Sequence, residues 1–234
     1  MPCTLTEETH TLSMPIDQRN VVLAGATGLV GGLMLQALLA DPTVAQVYAL
    51  SRRPLRVRHP RLQVHIVDFS RLPALPQADE VYLALGTTIK VAGSQAAFRA
   101  VDLEANLAVA KAAFAAGASR AGLVSAVGAN AKSSTFYSRV KGELEDALRS
   151  LGLTTLVIAR PSLLLDSRDG LQQPPRIGEQ IAIPIAKLLA PLLPGAYRPV
   201  HARAVAQSLV KTVPATEGMV ILSSGMLASI GSEP

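Results

Sequence analysis

The chain has 234 residues, of which 49% are hydrophobic and 17% charged, a composition that excludes an intrinsically disordered protein. A chain of this length buries roughly 70% of its unfolded surface, so it can form a core without disulfides or metals. The net charge of +5 favours an anionic ligand without choosing one. Aromatic residues make up 3%, which is too few for a surface that stacks nucleic acid bases.

The N-terminal segment is polar and has no apolar core of the kind found in signal peptides. We interpret residues 1–18 as a disordered leader and residues 19–234 as one domain. Cys3 is the single cysteine, so no intramolecular disulfide can form, and we expect a cytoplasmic location. No run of 18 uncharged apolar residues is present, so we predict no membrane insertion. Residues 181–193 form the most apolar stretch and are interpreted as a helix packed on the domain.

The first half of the chain alternates short apolar runs with helical patterns. Residues 21–24 predict a first strand, and residues 29–39 predict a helix that ends before Pro42. Strands two to four are predicted from three more apolar runs: residues 44–50, 62–67 and 80–85. A long alanine-rich helix follows over residues 94–116. Five of its residues recur at three-four spacing and are predicted to form its buried stripe: Phe98, Val101, Ala105, Ala108 and Ala112.

The second half continues the same alternation. Strands are predicted at residues 121–125, 154–159 and 219–222, and helices at residues 136–151 and 201–213. The strands are apolar on both sides, which is typical of a parallel sheet covered by helices. We therefore predict an α/β fold, a doubly wound, mostly parallel Rossmann sheet with helices on both faces. Residues 161–234 are expected to contribute a small C-terminal substrate cap. Within this region, residues 166–175 are interpreted as either a mobile substrate loop or a plain surface connection.

A glycine-rich segment lies between the first strand and the first helix. We expect Gly25 to form the turn, Gly28 to allow close approach of a pyrophosphate and Gly31 to let the helix contact the strand. The helix N-terminus would point at the anion, and a plain strand-to-helix turn is the alternative. The segment predicts dinucleotide binding by six residues: Gly25, Thr27, Gly28, Leu29, Val30 and Gly31.

The end of strand two, about twenty positions after the glycines, is where a dinucleotide-binding chain holds the ribose. Ser51, Arg52 and Arg53 stand there, and no acidic residue does. Guanidinium groups bind a 2′-phosphate in a bidentate manner, whereas a carboxylate would repel it, so we predict NADP(H) in preference to NAD(H). Three later arginines are interpreted as a solvated basic face: Arg56, Arg58 and Arg61. Because no aromatic residues interleave with this cluster, we predict no nucleic acid partner.

Tyr137 and Lys141 are four residues apart at the start of a predicted helix, so their side chains share one face. A free tyrosine is a poor acid or base at neutral pH, and a neighbouring cation stabilises its phenolate form. Ser125 ends strand five, where its hydroxyl can hold a substrate carbonyl or hydroxyl. We therefore predict Ser125, Tyr137 and Lys141 as catalytic residues. The alternative is a surface tyrosine and a solvated lysine on an ordinary helix.

These motifs together resemble the short-chain dehydrogenase/reductase superfamily, in its atypical branch. Within that branch the chain is most similar to the Tat-interacting-protein type of oxidoreductase, over residues 20–200. Five short segments carry the more particular similarity: Leu85-Gly86-Thr87-Thr88, Ala92-Gly93, Val101-Asp102, Lys141-Gly142-Glu143 and Arg160-Pro161. Members of this branch include reductases, epimerases, dehydratases and cofactor-sensing regulators, so the resemblance does not select a substrate.

The resemblance implies a role for each matching residue. Tyr137 would be the acid/base, Lys141 would hold the nicotinamide ribose hydroxyls, and Ser125 would orient the substrate. Asp68 and Phe69 would lie by the adenine. Two further sets would line the cofactor: Leu85, Gly86, Thr87 and Thr88 at its ribose and phosphates, and Arg160, Pro161 and Ser162 near its nicotinamide. We also expect Asn106 to support the active site from the long helix.

Other chemistries are not indicated by the residues. The four histidines lack metal-ligand spacing, so no metal site is predicted: His10, His59, His65 and His201. Cys3 lies in the leader, which argues against a cysteine nucleophile. No G-x-S-x-G segment is present, so serine hydrolysis is not supported.

We predict an enzyme that transfers hydride between NADP(H) and a small-molecule carbonyl or alcohol substrate. Tyr137 would supply or accept the proton, and Ser125 would polarise the substrate oxygen. Two alternatives stay open: an epimerase or dehydratase with the same site, and an NADP(H)-sensing regulatory protein. Sensors of this fold commonly lose the tyrosine–lysine pair, so its presence favours an enzyme. The sequence also leaves open a homodimer through the helices that begin near Ser94 and Phe136.

Overall fold

Seven parallel strands are found in the part of the chain that the computed structural model describes, residues 18–166 and 194–232. Their order in the sheet is β3-β2-β1-β4-β5-β6-β7. Their bounds are β1 (Arg19–Ala24), β2 (Val44–Ser51), β3 (Leu62–Ile66), β4 (Glu80–Leu83), β5 (Arg120–Val124), β6 (Thr155–Arg160) and β7 (Gly218–Ser223). The chain changes direction across the sheet between β1 and β4, where ligands of doubly wound sheets bind. The predicted fold class is confirmed.

Helices connect the strands and cover both faces of the sheet. Their bounds are α1 (Leu29–Ala40), α2 (Ile89–Ala92), α3 (Gln95–Arg99), α4 (Asn106–Ala115), α5 (Phe136–Arg149), α6 (Ala202–Ala215) and α7 (Ser224–Ser232). Neighbouring residues of β1 point to opposite faces, because side chains alternate along a strand. Leu23 belongs to a core cluster with residues of α1 and α6, whereas Val22 belongs to a second cluster with residues of α4 and α5. The strands are therefore apolar on both sides, as predicted.

The long helix predicted over residues 94–116 contains a π-helical turn, Ala100–Ala105, between α3 and α4. A π turn has i→i+5 hydrogen bonds, so it inserts an extra residue and shifts the face that the helix buries. The predicted stripe is consequently wrong at three positions, which are only half-buried: Val101, Ala108 and Ala112. Four neighbouring residues of the π turn and α4 are buried in their place: Asp102, Asn106, Val109 and Ala113.

Arg61 holds the end of α1 and was wrongly interpreted as solvated. Its guanidinium donates to the carbonyl oxygens of Asp41 at 2.7 Å and Val44 at 2.5 Å, and also to that of Leu39. The last carbonyls of a helix have no partners within the helix, so a cation that bonds to them stabilises the helix end. Arg56 and Arg58 are exposed, in agreement with the interpretation of a solvated face.

The described C-terminal residues extend the sheet. β7 pairs with β6, and α6 packs against α1, so within residues 161–234 these two elements belong to the sheet and its covering layer. α7 was not predicted. Residues 1–17, 167–193 and 233–234 lie outside the described part, and with them nearly all of the predicted leader, the loop beyond Asp166 and the apolar stretch 181–193. The division into one domain with a cap stays a prediction. In the described residues no helix is long and apolar enough to span a membrane.

Candidate active site at the carboxyl edge of the sheet

A cleft with a volume of about 310 Å³ opens where the carboxyl ends of β1, β4, β5 and β6 meet. Twelve of the predicted site residues line it: Gly28, Leu29, Val30, Leu85, Gly86, Thr87, Thr88, Ser125, Tyr137, Lys141, Pro161 and Ser162. Parallel strands end at the same edge of a sheet, so residues far apart in the sequence meet here. The predicted phosphate loop and the predicted catalytic residues therefore share one cleft.

The glycine loop has the backbone geometry that the sequence predicts. Gly25 has a φ of 97°, and a Cβ there would lie 2.4 Å from the backbone of Ala84. A Cβ on Gly31 would lie 2.1 Å from the carbonyl oxygen of Gly25, so α1 can start this close to the loop only with glycine at this position. Gly28 caps α1 without a side-chain hydrogen bond, and the first turn has no acidic residue. The free N–H groups of this turn therefore suit an anion such as pyrophosphate.

Tyr137 lies in the first turn of α5 and lines the cleft with a side chain that is 38% exposed. Its ring contacts the fully buried ring of Phe98, with centroids 5.7 Å apart. The middle of α5 also packs closely on the segment after β5, because a Cβ on Gly142 would lie 2.1 Å from the backbone nitrogen of Ala131. The contact with Phe98 and the packing of the helix therefore hold the phenol at the cleft.

Lys141 forms a buried ion pair with Asp102. Its Nζ lies 2.8 Å from Asp102 Oδ1, and the two side chains are 6% and 1% exposed. The other carboxylate oxygen, Oδ2, accepts from the backbone N–H of Thr87 at 2.8 Å. Asp102 thus joins the segment after β4 to the lysine one turn after Tyr137. The π turn puts Asp102 in this position, in line with the frequent occurrence of such turns at functional sites.

Ser125 follows β5 directly and donates its hydroxyl hydrogen to Glu145 Oε1 at 2.6 Å. Glu145 is 1% exposed and lies on α5 one turn after Lys141. Arg160 holds the same carboxylate with two bonds, Nε to Oε1 at 3.0 Å and Nη2 to Oε2 at 2.5 Å. The hydrogen bonds that Arg160 donates to Glu145 raise the pKa of Arg160 above its usual value. Arg160 is not among the residues that line the cleft, and it is connected to the cleft through Glu145 and Ser125.

Asn106 supports the cleft, as the sequence suggested. Its Nδ2 donates to the carbonyl oxygens of Leu85 at 3.1 Å and Asp102 at 3.1 Å, so it ties the segment after β4 to the π turn. Its Oδ1 is buried and has no hydrogen-bond partner among the described residues.

Ser162 also lines the cleft, but its hydroxyl donates to the carbonyl of Arg198 at 2.6 Å.

The residues predicted for the adenine end lie outside the cleft lining, at the ends of β2 and β3. Ser51 is buried, and its Oγ accepts from the backbone N–H of Arg53, whereas the side chains of Arg52 and Arg53 are exposed. Asp68 accepts from both the N–H and the hydroxyl of Ser70, and these bonds lower its pKa. Phe69 is half-buried against the core. Their roles toward a cofactor stay predictions.

Two functional candidates escaped the sequence interpretation. Asp102 belongs to a segment that carries the family resemblance, but no role was predicted for it. No role was predicted for Glu145 either. A signal for Glu145 existed, because it falls on the buried face of α5 with Val140, Leu144 and Leu148, where an unpaired carboxylate is unfavourable. His201 stands at the start of α6, and its Nδ1 lies 3.1 Å from Asp166 Oδ1. Within residues 18–166 and 194–232, no cluster of three potential metal ligands occurs.

Comparison with known families shows the family to which the chain belongs. A family model described as NAD(P)H-binding matches residues 25–181, which is more than half of the chain and begins at the first glycine of the loop. The chain belongs to this NAD(P)H-binding family. The match confirms the dinucleotide-binding Rossmann resemblance, whereas the preference for NADP(H) over NAD(H) stays a prediction.

Curated relatives of this NAD(P)H-binding protein include fungal proteins. The protein named fmp52, mitochondrial, of Emericella nidulans is 36% identical over 160 residues, which cover 64% of the chain and 69% of the relative. The protein named FMP52, mitochondrial, of Lodderomyces elongisporus is 33% identical over 192 residues, with coverages of 74% and 79%. These names contradict the expected cytoplasmic location. That inference was wrong because a single cysteine and a polar N-terminus do not distinguish the cytoplasm from other compartments.

Solved structures with the same fold include nucleotide-sugar enzymes. MoeE5 in complex with UDP-glucose and NAD has a TM-score of 0.65 and 15% identity, and the match covers 91% of the chain and 81% of that structure. A UDP-N-acetylglucosamine 4-epimerase from Methanobrevibacter ruminantium M1 also has a TM-score of 0.65 and 15% identity, with coverages of 88% and 77%. At these identities the likeness shows the shared fold.

Proposed function

We propose that this NAD(P)H-binding protein is an NADP(H)-dependent oxidoreductase that transfers hydride to or from a small carbonyl or alcohol. The observation that carries the proposal is the single cleft in which Gly28, at the start of α1, faces the same space as Tyr137 and Lys141. A nucleotide held by the glycine loop has room to extend toward the phenol. A tyrosine and a lysine at this spacing share one helix face, an arrangement suited to proton transfer.

The residues present fit a dinucleotide. The start of α1 offers N–H groups that no side chain caps, and Gly28 presents no side chain to a pyrophosphate. Arg52 and Arg53 are exposed at the end of β2, where their guanidinium groups are available to a 2′-phosphate. When bound, the nicotinamide supplies or takes up the hydride, and the protein supplies the proton and the orientation.

Tyr137 moves the proton at its phenolic oxygen, donating it when a carbonyl is reduced and accepting it when an alcohol is oxidised. Lys141, one turn after Tyr137 on α5, holds ribose hydroxyls when the nucleotide is bound. Asp102 fixes the position of Lys141 through the ion pair at 2.8 Å. Cofactor hydroxyls would therefore meet a lysine whose side chain is already ordered, which lowers the entropy cost of binding.

The proton-transfer role is tested by Tyr137→Phe, assayed with a panel of small aldehydes and ketones by NADPH absorbance. We expect turnover to fall by at least about 100-fold, the contribution typical of a positioned acid or base, while NADPH binding measured by fluorescence is kept. Tyr197→Phe is the matched control, because Tyr197 is exposed and lies outside the cleft. Unchanged turnover in Tyr137→Phe would remove Tyr137 from the mechanism. Tight NADPH binding without turnover of any panel compound by the unmodified protein would favour a sensor.

The cofactor preference is tested by the double change Arg52→Ala and Arg53→Ala. We expect the dissociation constant of NADPH to rise tenfold or more while that of NADH stays the same, because a charge-assisted hydrogen bond contributes about 1.5–3 kcal/mol. Arg56→Ala with Arg58→Ala is the control, since both side chains are exposed and carry the same charge. Equal weakening of NADH and NADPH would contradict the assignment of the 2′-phosphate.

A further inference from the structure

We propose that Glu145 is a positioning residue that takes the hydroxyl hydrogen of Ser125, so that Ser125 faces the cleft as a hydrogen-bond acceptor. The cleft would then select a carbonyl compound with a hydroxyl on the carbon next to the reacting one. This inference rests on the proposed oxidoreductase function and adds a substrate class to it. It also reverses the expected role of Ser125, which was to polarise the substrate oxygen by donating to it.

The direction of the Ser125–Glu145 hydrogen bond follows from the partners of the carboxylate. Arg160 holds both oxygens of Glu145, at 3.0 and 2.5 Å, and the Nη2 of Arg149 lies 3.4 Å from Oε2. A carboxylate held by guanidinium groups is ionised, and an ionised carboxylate can only accept hydrogen bonds. Ser125 must therefore be the donor in the 2.6 Å bond.

The kind of ligand group that Ser125 can bind follows from the number of donors and acceptors in a hydroxyl group. A serine has one hydrogen to donate and two lone pairs that accept. The hydrogen of Ser125 is directed to Glu145, behind the cleft, so the lone pairs remain for a ligand. A bare carbonyl oxygen cannot bond to such a group, whereas a substrate hydroxyl can. A site built to accept from a hydroxyl rejects analogues that lack it, because its polar group is then left unpaired.

In the described residues, no charged group that lines the cleft donates a hydrogen bond to the hydroxyl of Ser125. Lys141 is paired with Asp102 at 2.8 Å. Asp166 is the other charged residue that lines the cleft, and its carboxylate accepts from the backbone N–H of Ala202 and contacts His201. Tyr137 is then free to donate its proton to the reacting carbonyl oxygen, while the neighbouring hydroxyl of the substrate, unchanged in the reaction, donates to Ser125.

The first test needs no enzyme turnover. It measures how the charge of Glu145 changes the pKa of a thiol introduced at position 125. Ser125→Cys is made together with Cys3→Ser, so that the only thiol in the chain contacts Glu145. Its reaction rate with 2,2′-dithiodipyridine is followed against pH. We expect the thiol pKa to lie at least one unit above its ordinary value of about 8.5, because a buried carboxylate disfavours the thiolate. A thiol pKa at or below the ordinary value would overturn the proposal.

Glu145→Gln in the same background keeps the side-chain volume and removes the charge. We expect it to lower the thiol pKa by at least one unit. Asp146→Asn is the matched control, because Asp146 is the next residue on α5, has the same charge and is 55% exposed. It should leave the thiol pKa unchanged. If Glu145→Gln does not fold, a Ser125→Cys thiol pKa at or below the ordinary value still overturns the proposal.

The second test addresses the substrate class with two ketones of similar size, 3-hydroxy-2-butanone and 2-butanone, reduced with NADPH. We expect kcat/KM to favour the hydroxyketone at least tenfold, and Ser125→Ala to abolish this preference. Glu145→Gln should reduce the preference as well, but should have no further effect in the Ser125→Ala background, which a merely structural role would not predict. Equal reduction of the two ketones would overturn the hydroxyketone class. Reduction of neither would count against both this class and the oxidoreductase, while the thiol titration would still decide the Ser125–Glu145 assignment.

Discussion

The buried ion pair between Lys141 and Asp102 should be costly to break from either side. Lys141→Met keeps an unbranched apolar stem but removes the cation. It leaves Asp102 1% exposed, with the N–H of Thr87 as its remaining donor of those described. Asp102 belongs to the π turn, so the backbone of that turn fixes the position of its carboxylate.

The size of the effect follows from this burial. Removing one member of a buried ion pair costs about 3–5 kcal/mol of unfolding free energy, because an uncompensated charge stays in the interior. Asp102→Asn keeps an acceptor for Thr87 and should cost less, about 1.5–3 kcal/mol, the range for hydrogen bonds to charged groups. The double variant contains neither charge, so its cost should be at least about 1 kcal/mol smaller than the sum of the two single costs.

Urea unfolding followed by far-ultraviolet circular dichroism measures these free energies. Lys111→Met is the control, because Lys111 is an exposed lysine on α4 and its loss should change stability by no more than about 0.5 kcal/mol. A loss below about 1 kcal/mol in Lys141→Met, or costs that simply add in the double variant, would show that the pair is not coupled. The function of Lys141 would then rest on the lysine alone, without a positioning role for Asp102.

Two further predictions concern the glycine loop before α1 and Asp41 at the end of α1. Gly31→Ala puts a Cβ 2.1 Å from the oxygen of Gly25 and should cost about 1–3 kcal/mol in urea unfolding and weaken NADPH binding. Gly32→Ala, where the nearest contact is 3.3 Å, should cost clearly less, and equal effects would contradict the close approach. Although burial opposes it, hydrogen bonds from Thr43 and Arg19 hold the pKa of Asp41 below its usual value. The resulting stabilisation is fully present at a pH above the pKa of Asp41 in the unfolded chain, about 3.9. It is lost as the pH falls through the lower pKa of Asp41 in the folded protein. We therefore expect Asp41→Asn to weaken the fall of the unfolding free energy at acid pH, measured by urea unfolding over a series of pH values.

The fold could be predicted because its signals are local. A buried parallel strand is a short apolar run, and the glycines between β1 and α1 fix a tight turn and a close helix contact whatever the rest of the chain does. The face that the long helix buries could not be predicted in this way. Its π turn depends on what α3 and α4 pack against, and the amphipathic pattern alone favoured an uninterrupted α-helix with Val101 inside.

For the candidate site, only the relations between residues close in sequence could be predicted. Tyr137 and Lys141 are recognisable because four residues on a helix bring them to one face, a relation that needs no knowledge of the fold. The partners of these residues come from other elements. Asp102 reaches Lys141 only because α5 lies beside the π turn, and Glu145 reaches Ser125 only because α5 crosses the end of β5. Such contacts are set by tertiary packing, so the sequence could suggest a buried carboxylate but not what it binds.

Helix α5 explains why the cleft needs both buried carboxylates. It carries Tyr137, Lys141 and Glu145 at successive turns, so a phenol, a cation and an anion follow one another along one side of the helix. The charges are paired with other elements: Lys141 with Asp102 of the π turn, and Glu145 with Ser125 and Arg160 at the ends of β5 and β6. A buried charge is tolerable only with fixed partners, so each pair ties α5 to a different part of the sheet edge. The position of α5 at the sheet edge is therefore set by two ion pairs, and Tyr137, the residue proposed for proton transfer, is held on that helix.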